Sequence, residues 1–480
     1  MGLLRMLVRG IGLISTVILA RLLVPADFGL VAMATSIIAG LELATAFSFD
    51  IPLIQKQDAE RSYFDSAWTI TVLFYAALTL ILVLLAPVAA AFYKDERLEM
   101  VIYALAVGFF AQGFENIGIV YFRKELDFRK DFILMLSKKL GGFLVTVPLA
   151  YFLRSYWALI AGIVVGNIWG VALSYFLHPF RPRFSLVAVR HLFDFSKWLM
   201  LNNVVYYLRA RSPDFVIGRV AGTTALGIFT VAHEISTLAT TELVAPINRA
   251  VFPGYSKLAS DLAELRRSFL DVLVVIAAIA LPAALGIASV AAPLVNVFLG
   301  AKWTDVVPIV SILAVYDGVT SLQANTGAVF NALGKPHLAT KIGTVDTLVL
   351  LASSIILVTQ FGAIGVAWAY LGTVLIRTPF VFWYVGREIQ ARIHDYWTAL
   401  WRPSVCSLLM YAVVRGLATL TAEWPSWVQL FVLSMSGAAF YVLAMIALWI
   451  LSGRPPSADY RLAMTLLSKL RLNGASAPAS

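Results

Sequence analysis

Asn202, Asn203, Arg209, Arg211, Asp214 and Arg219 are set along a largely apolar stretch at 196–229, SKWLMLNNVVYYLRARSPDFVIGRVAGTTALGIF. A charge at the centre of a bilayer costs roughly 2.5–3.5 kcal/mol on insertion scales, so this many in one segment imply a task. Arg211 and Asp214 are three apart and can pair on one helical face. Two readings of that pair stand side by side: a self-neutralising lock on a kink at Pro213, and a substrate contact. Arg209 and Arg211 are two apart and point in different directions, so at most one faces a given partner squarely. The planar guanidinium fork suits a phosphate or diphosphate. Asn202 and Asn203 lie about two turns deeper, where their amides could hold sugar hydroxyls or join helices. Elsewhere Glu42, the adjacent His233 and Glu234, Asp317 and Arg377 lie inside apolar runs. Such groups usually face a bundle interior or aqueous cavity, so with Asp214 they are candidates for coupling or gating.

Signatures of catalysis are missing from the sequence. There is no phosphate-binding GxxxxGK[ST] loop; Gly334-Lys335-Pro336 lacks the upstream glycine spacing and the hydroxyl. HExxH, CxxC, GxSxG and Asp-x-Asp do not occur. The five histidines, at 178, 191, 233, 337 and 394, fall mostly at the ends of apolar runs, and only His233 lies well inside one. Neither a metal site nor a cofactor is expected. The single cysteine, Cys406, excludes an internal disulfide and reads as a small core residue.

The elements that must position these groups are membrane helices. The 480 residues are 60% hydrophobic and 13% charged, a membrane-protein composition. A crossing helix needs about 20 apolar residues. By that rule about fourteen spans are expected, near 7–24, 28–54, 67–92, 98–121, 132–153, 156–178, 192–219, 224–251, 266–290, 305–332, 338–360, 363–386, 397–420 and 427–451. Pro148, Pro213, Pro282, Pro308 and Pro379 fall inside spans, where proline is tolerated as a kink. Alternate loops carry the Lys and Arg, such as Lys56 and Arg61, Arg123 to Lys130, Arg181 to Arg190 and Arg387 to Arg402, whereas the opposite set offers little beyond Lys94, Arg97, Arg154, Arg219 and Lys302. The net charge of +10 is thus read as the positive-inside pattern rather than as nucleic-acid binding, with both termini cytoplasmic. All loops are too short to fold as a separate catalytic module.

The chain also repeats itself. ARLLVPADFGLVAMA at 20–34 aligns without gaps on GRVAGTTALGIFTVA at 218–232, putting Arg21 on Arg219 and Gly29 on Gly227 at an offset of 198. Pro52 recurs as Pro253, Asn116–Val120 as Asn325–Val329, and Tyr156–Leu159 resembles Phe361–Ile364, with offsets drifting to 209. Matches in this order predict two parallel six-helix repeats related by a pseudo-twofold axis along the membrane normal. The expected division is 1–190 for the first lobe, 191–395 for the second, 396–452 for two appended helices, and 453–480 for a cytoplasmic tail with a short amphipathic piece at Tyr460–Leu472. A cleft between lobes is the natural substrate site. Arg209, Arg211 and Asp214 map onto Ile11, Leu13 and Thr16, so the charges belong to the second copy alone.

Several stretches carry a family resemblance: ILARLLVPADFGLVAMA (18–34), AAFYKDERL (90–98), YFRKELDFRK (121–130), YWALIAG (156–162), HPFRPRF (178–184), PDFVIGRVAGTTALGIF (213–229) and VFPGYSKLASD (251–261). They resemble the bacterial polysaccharide flippases of the multidrug/oligosaccharidyl-lipid/polysaccharide superfamily, over nearly the whole chain. The resemblance implies an all-α polytopic inner-membrane protein of fourteen helices. It also implies transfer of an undecaprenyl-diphosphate-linked oligosaccharide repeat unit from the cytoplasmic to the periplasmic leaflet. Related proteins use a cationic cavity, matched here by Arg211, Asp214 and Arg219, and some couple to a proton or sodium gradient. A polysaccharide polymerase and co-polymerase are the protein partners such a system implies. Two alternatives remain open: a drug/cation antiporter of the same superfamily, which would favour an acidic cavity, and a membrane polymerase or ligase, which would need a sizeable periplasmic loop.

Overall fold

Apolar runs become helices here because, in lipid, a helix satisfies each backbone N–H and C=O within its own segment. The computed structural model describes residues 2–45, 53, 60–187 and 197–453. Its helices are α1 (Gly2–Leu22), α2 (Pro25–Thr45), α3 (Arg61–Tyr93), α4 (Arg97–Gln112), α5 (Val120–Lys124), α6 (Phe128–Leu153), α7 (Trp157–Leu177), α8 (Lys197–Leu258), α9 (Leu262–Ser289), α10 (Ala291–Phe298), α11 (Val306–Leu322), α12 (Thr326–Ala332), α13 (Pro336–Ile389), α14 (Ile393–Leu420) and α15 (Ser426–Leu451). No strand occurs among the described residues. Among the described residues, ten helices are long and apolar enough to cross a bilayer, or eleven if α4 and the bent segment after it are one span. The protein is therefore an all-α, multi-pass membrane protein. The expected tail from 454 onward, with its amphipathic piece, lies outside the described residues.

Two helices hide a turn. Gly222 in α8 (φ 82°, ψ −178°) and Gly362 in α13 (φ 59°, ψ −141°) take positive-φ backbone that only glycine adopts at little cost. Both breaks fall between spans expected from hydropathy. The expected span at 98–121 is itself bent by 63° between Gln112 and Ile117. Asn116 sits in that break, wholly buried; its Oδ1 accepts from Gly118 N at 2.9 Å. Its repeat equivalent Asn325, also wholly buried, sits in the link between α11 and α12 and donates to the Tyr255 hydroxyl at 3.1 Å. The Asn-x-Gly-x-Val repeat thus marks a broken helix in both copies.

The chain divides into two compact units, Met1–Val231 with Leu351–Val366, and Ala232–Leu350 with Ala367–Ser480. In the first, α6 and α7 meet along small residues: Gly162, Gly166 and Gly170 on α7 face Gly142, Thr146 and the Lys138 stem on α6. Small residues at four-residue spacing let membrane helices approach closely. In the second, α9 packs on α11 and α14 around a core that includes Tyr255, Leu265, Phe269, Leu273, Phe330, Val385 and Ile389. Cys406 is fully buried, in keeping with a core role.

After α7 an extended segment, His178–Ser185, is strapped back onto α3. Asp65, 7% exposed, accepts from Arg183 N at 2.9 Å, and Thr69 Oγ1 accepts from Ser185 N at 2.9 Å. Arg61 donates to the Arg181 carbonyl at 2.9 Å and pairs with Asp65 at 3.4 Å, while Asn116 Nδ2 donates to the Phe180 carbonyl at 2.8 Å. His178 Nδ1 accepts from Phe180 N at 3.1 Å, and burial pushes its pKa below the usual imidazole value, keeping it neutral. Asp65→Ala removes a charged acceptor from the part-buried Arg183 amide, a loss of up to about 1.5–3 kcal/mol. We expect the variant to melt earlier in detergent and to be nicked within 178–187 by protease at concentrations that spare the parent.

Candidate functional site

The first unit gathers charges from three helices. On α8, Arg211 Nη1 donates to Asp214 Oδ2 at 3.1 Å, so the spacing-based pair forms; Asp214 is buried and the Arg211 side chain remains 41% exposed. From α2, the half-buried Glu42 lies within electrostatic reach of Arg211 and of Lys138 on α6. The aliphatic stem of Lys138 lies along Gly170 of α7, where no side chain intervenes, and its ammonium extends from there. Lys139 reaches beside Gly12 of α1. Arg211, Lys138, Asp214 and Glu42 thus bring a guanidinium, an ammonium and two carboxylates together, while exposed Lys139 stands outside the set.

Aromatic and small residues hold α2 against α8. The Tyr207 hydroxyl donates to the Ser36 carbonyl at 2.8 Å, and Gly40 leaves room for that hydroxyl. Gly218 likewise accommodates the Tyr93 ring and Met33. Tyr93 stacks on Phe215 at 6.3 Å, and Phe215 meets Tyr207 edge-on at 6.4 Å. Arg211 thus projects from a helix fixed on both sides of it. Arg209 is half-buried on the same helix. Arg219 stands apart, over the Phe92 ring at 5.7 Å. Asn202 and Asn203 lie on the α8 backbone, and their side chains are outside the described residues.

The second unit holds a separate polar set. Ser236 donates to Asp317 Oδ2 at 2.8 Å, with both residues buried. His233, one turn before Ser236, lies 6.2 Å from the Tyr370 ring, which Tyr316 meets edge-on at 4.9 Å. Glu234 is half-buried beside it in sequence. Arg377 pairs with Asp346 at 2.6 Å, their side chains only 12% and 2% exposed. Gln323 donates to Thr378 Oγ1 at 2.6 Å one residue further along α13.

Sequence reasoning missed Lys138, Tyr207, Ser236 and Asp346. Lys138 was legible in principle: α6 starts at Phe128, four residues before the expected span, which puts Lys138 ten residues and about 15 Å into the helix. Asp346 was legible by symmetry, since it precedes the Gly362 turn by nearly the same number of residues as Arg377 follows it.

The described residues thus form a bundle of long apolar helices with charged groups set among them, the build of a multi-pass membrane protein. The profile of the polysaccharide biosynthesis protein family matches residues 18–308, more than half of the chain, and the chain belongs to that family. The lipopolysaccharide biosynthesis protein WzxC of Escherichia coli (strain K12) is 25% identical over 404 residues, 83% of this chain and 82% of its own length. The teichuronic acid biosynthesis protein TuaB of Bacillus subtilis (strain 168) is 23% identical over 414 residues, 84% of this chain and 85% of its own. The inward closed conformation of the lipid II flippase MurJ superposes with a TM-score of 0.76 at 15% identity, over 93% of this chain and 98% of that one, and shows a shared fold.

Proposed function

We propose that this protein is a flippase that moves a diphosphate-linked oligosaccharide lipid from the cytoplasmic to the periplasmic leaflet of the bacterial inner membrane, supplying a surface polysaccharide. One observation carries the reading: Arg211 and Lys138 converge with Glu42 inside an apolar bundle, where a multiply charged headgroup needs help to cross. The guanidinium fork of Arg211, with Arg209 on the same helix, suits the diphosphate, and Asn202 and Asn203 are assigned to the sugar hydroxyls. Family membership supports polysaccharide synthesis as the setting, and the fold shared with MurJ supports lipid transfer as the act. An exporter of organic cations would call for an acidic cluster instead.

The protein acts without catalysis of its own and without a resident cofactor. Fourteen spans with both ends cytoplasmic, and lobes at 1–190 and 191–395, complete the proposed topology. Coupling to a proton or sodium gradient is assigned to the carboxylates and histidine of the interior, Asp214, Glu42, Glu234, His233 and Asp317, with Arg377 in gating. Arg219 stays at the periplasmic end as a secondary contact. A polymerase and co-polymerase receive the product.

Deleting the gene in a strain that makes the glycan tests the reading. The expected result is lipid-linked single repeat units accumulating on the inner leaflet, shielded from periplasmic glycosidase. Repeat units that reach the outer leaflet but stay unpolymerised would instead identify a polymerase.

A further inference from the structure

The two sequence repeats touch backbone to backbone at one place in the first unit, and the contact is reciprocal. A Cβ on Gly29 would overlap the carbonyl of Thr223 and lie 2.9 Å from Gly227 N; a Cβ on Gly227 would overlap the carbonyl of Pro25 and lie 2.9 Å from Gly29 N. Gly29 and Gly227 are repeat equivalents at the offset of 198, and so are Pro25 and Thr223. Residue i of one copy thus meets j of the other while j meets i, which is the signature of a twofold axis passing between them. Each glycine Cα–H points at the other copy's carbonyl oxygen, as in close Cα–H···O helix contacts.

The contact lies at the end of the bundle away from the basic loops. It directly follows the α1–α2 turn and the Gly222 break, and Asp27 within it lies in the electrostatic field of Arg97, whose guanidinium sits over Tyr156 at 6.0 Å. The turns at 94–97 and 154–157 therefore share this end, which the positive-inside rule makes periplasmic. In the same turn the Arg97 fork holds the Asp95 carboxyl below the usual carboxylate range, bonding at 2.9 and 2.7 Å. Further along the same face of α2 come Met33 beside Gly218, wholly buried Ser36, whose carbonyl accepts from Tyr207, and Gly40 against the Tyr207 hydroxyl, so the α2–α8 packing continues from this contact to the turn that precedes Arg211.

We propose that the Pro25/Gly29–Thr223/Gly227 contact is a periplasmic gate, shut in this conformation, that must part each time substrate leaves. The proposal rests on the flippase reading. Backbone-to-backbone closure suits a gate, because no interlocked side chains have to be withdrawn when the helices separate and none obstruct the opening. A methyl group at either glycine meets a fixed carbonyl rather than a flexible side chain, so it props the gate without a local remedy.

The test reports conformation independently of transport. In a Cys406→Ser background, Ser36→Cys places one thiol immediately behind the gate. With the native glycines it should react slowly with a membrane-impermeant maleimide added to intact cells, and Gly29→Ala/Gly227→Ala should raise its labelling roughly tenfold or more, as expected when a minor open state becomes the main one. Each single alanine should give about the same intermediate rise, because the two sites are equivalent, whereas Gly10→Ala, with open space around it, should change nothing. Unchanged labelling in a double variant that reaches the membrane in normal amount overturns the gate. If the double variant does not accumulate, Ser36→Cys with both glycines intact decides the matter. Labelling from outside should then rise in cells synthesising the lipid-linked glycan over cells that lack it, and equal labelling overturns the gate. With both glycines native, labelling that rises with the glycan but is accompanied by no glycan transfer would leave the gate standing and sink the flippase reading instead.

Discussion

Replacing both members of the α8 pair, as Arg211→Gln/Asp214→Asn, is expected to yield a protein that reaches the membrane in normal amount and exports almost no polysaccharide. The pair spans 3.1 Å, with Asp214 buried and Arg211 partly open. Removing Arg211 alone confounds two effects, since it strips a buried carboxylate of a cation as well as removing a substrate donor. Neutralising both groups separates them. Loss of charged hydrogen bonds of about 1.5–3 kcal/mol corresponds to roughly 10- to 150-fold in substrate binding. Asp214→Asn alone keeps the Arg211 donor and removes one of several carboxylates assigned to coupling, so it should retain far more export than either variant that lacks Arg211. Had the pair served only to lock the helix at Pro213, the outcome would invert: Asp214→Asn would be as damaging as Arg211→Gln, and the double variant close to normal. Quantifying surface polymer against membrane protein level in the three strains distinguishes the cases.

Breaking the ion pair of α13 should have the largest effect on folding. Asp346 and Arg377 meet at 2.6 Å with almost no exposure. Removing one partner of a buried pair costs about 3–5 kcal/mol, a large share of a protein's total stability, because the other charge is left in a low-dielectric interior. Asp346→Leu should therefore all but vanish from the membrane. Asp346→Leu/Arg377→Leu should return, since exchanging a buried pair for apolar residues is often neutral or stabilising. Export by the recovered double variant then reports the role of Arg377. Restored protein with restored export means a purely structural pair, whereas restored protein without export assigns the pair to gating.

Hydropathy placed the helices well where the environment is uniform. The breaks at Gly222 and Gly362 fall inside loops expected at 219–224 and 360–363, because turns between membrane helices need either polar residues or glycine. Arg211–Asp214 was readable because both residues lie on one helix at a spacing with fixed geometry. Glu42 and Lys138 converge on that pair from other helices, and no spacing rule reaches across α2, α6 and α8. The same holds for Ser236 with Asp317, 81 residues apart. The gate contact was half-legible. The repeat aligned Gly29 with Gly227, yet only the fold shows that these equivalent glycines touch.

On the proposed function, a diphosphate-bearing glycolipid crosses the bilayer on this chain by way of Arg211. Purified protein in liposomes containing a fluorescent undecaprenyl-diphosphate-linked sugar tests it directly, with an impermeant quencher added outside, with and without an imposed proton or sodium gradient. The inner-leaflet pool, protected in protein-free liposomes, is expected to become quenchable with the parent protein and to stay protected with Arg211→Gln/Asp214→Asn. A pool that stays protected with the parent under every gradient, or is lost equally with both proteins, would contradict the proposed function.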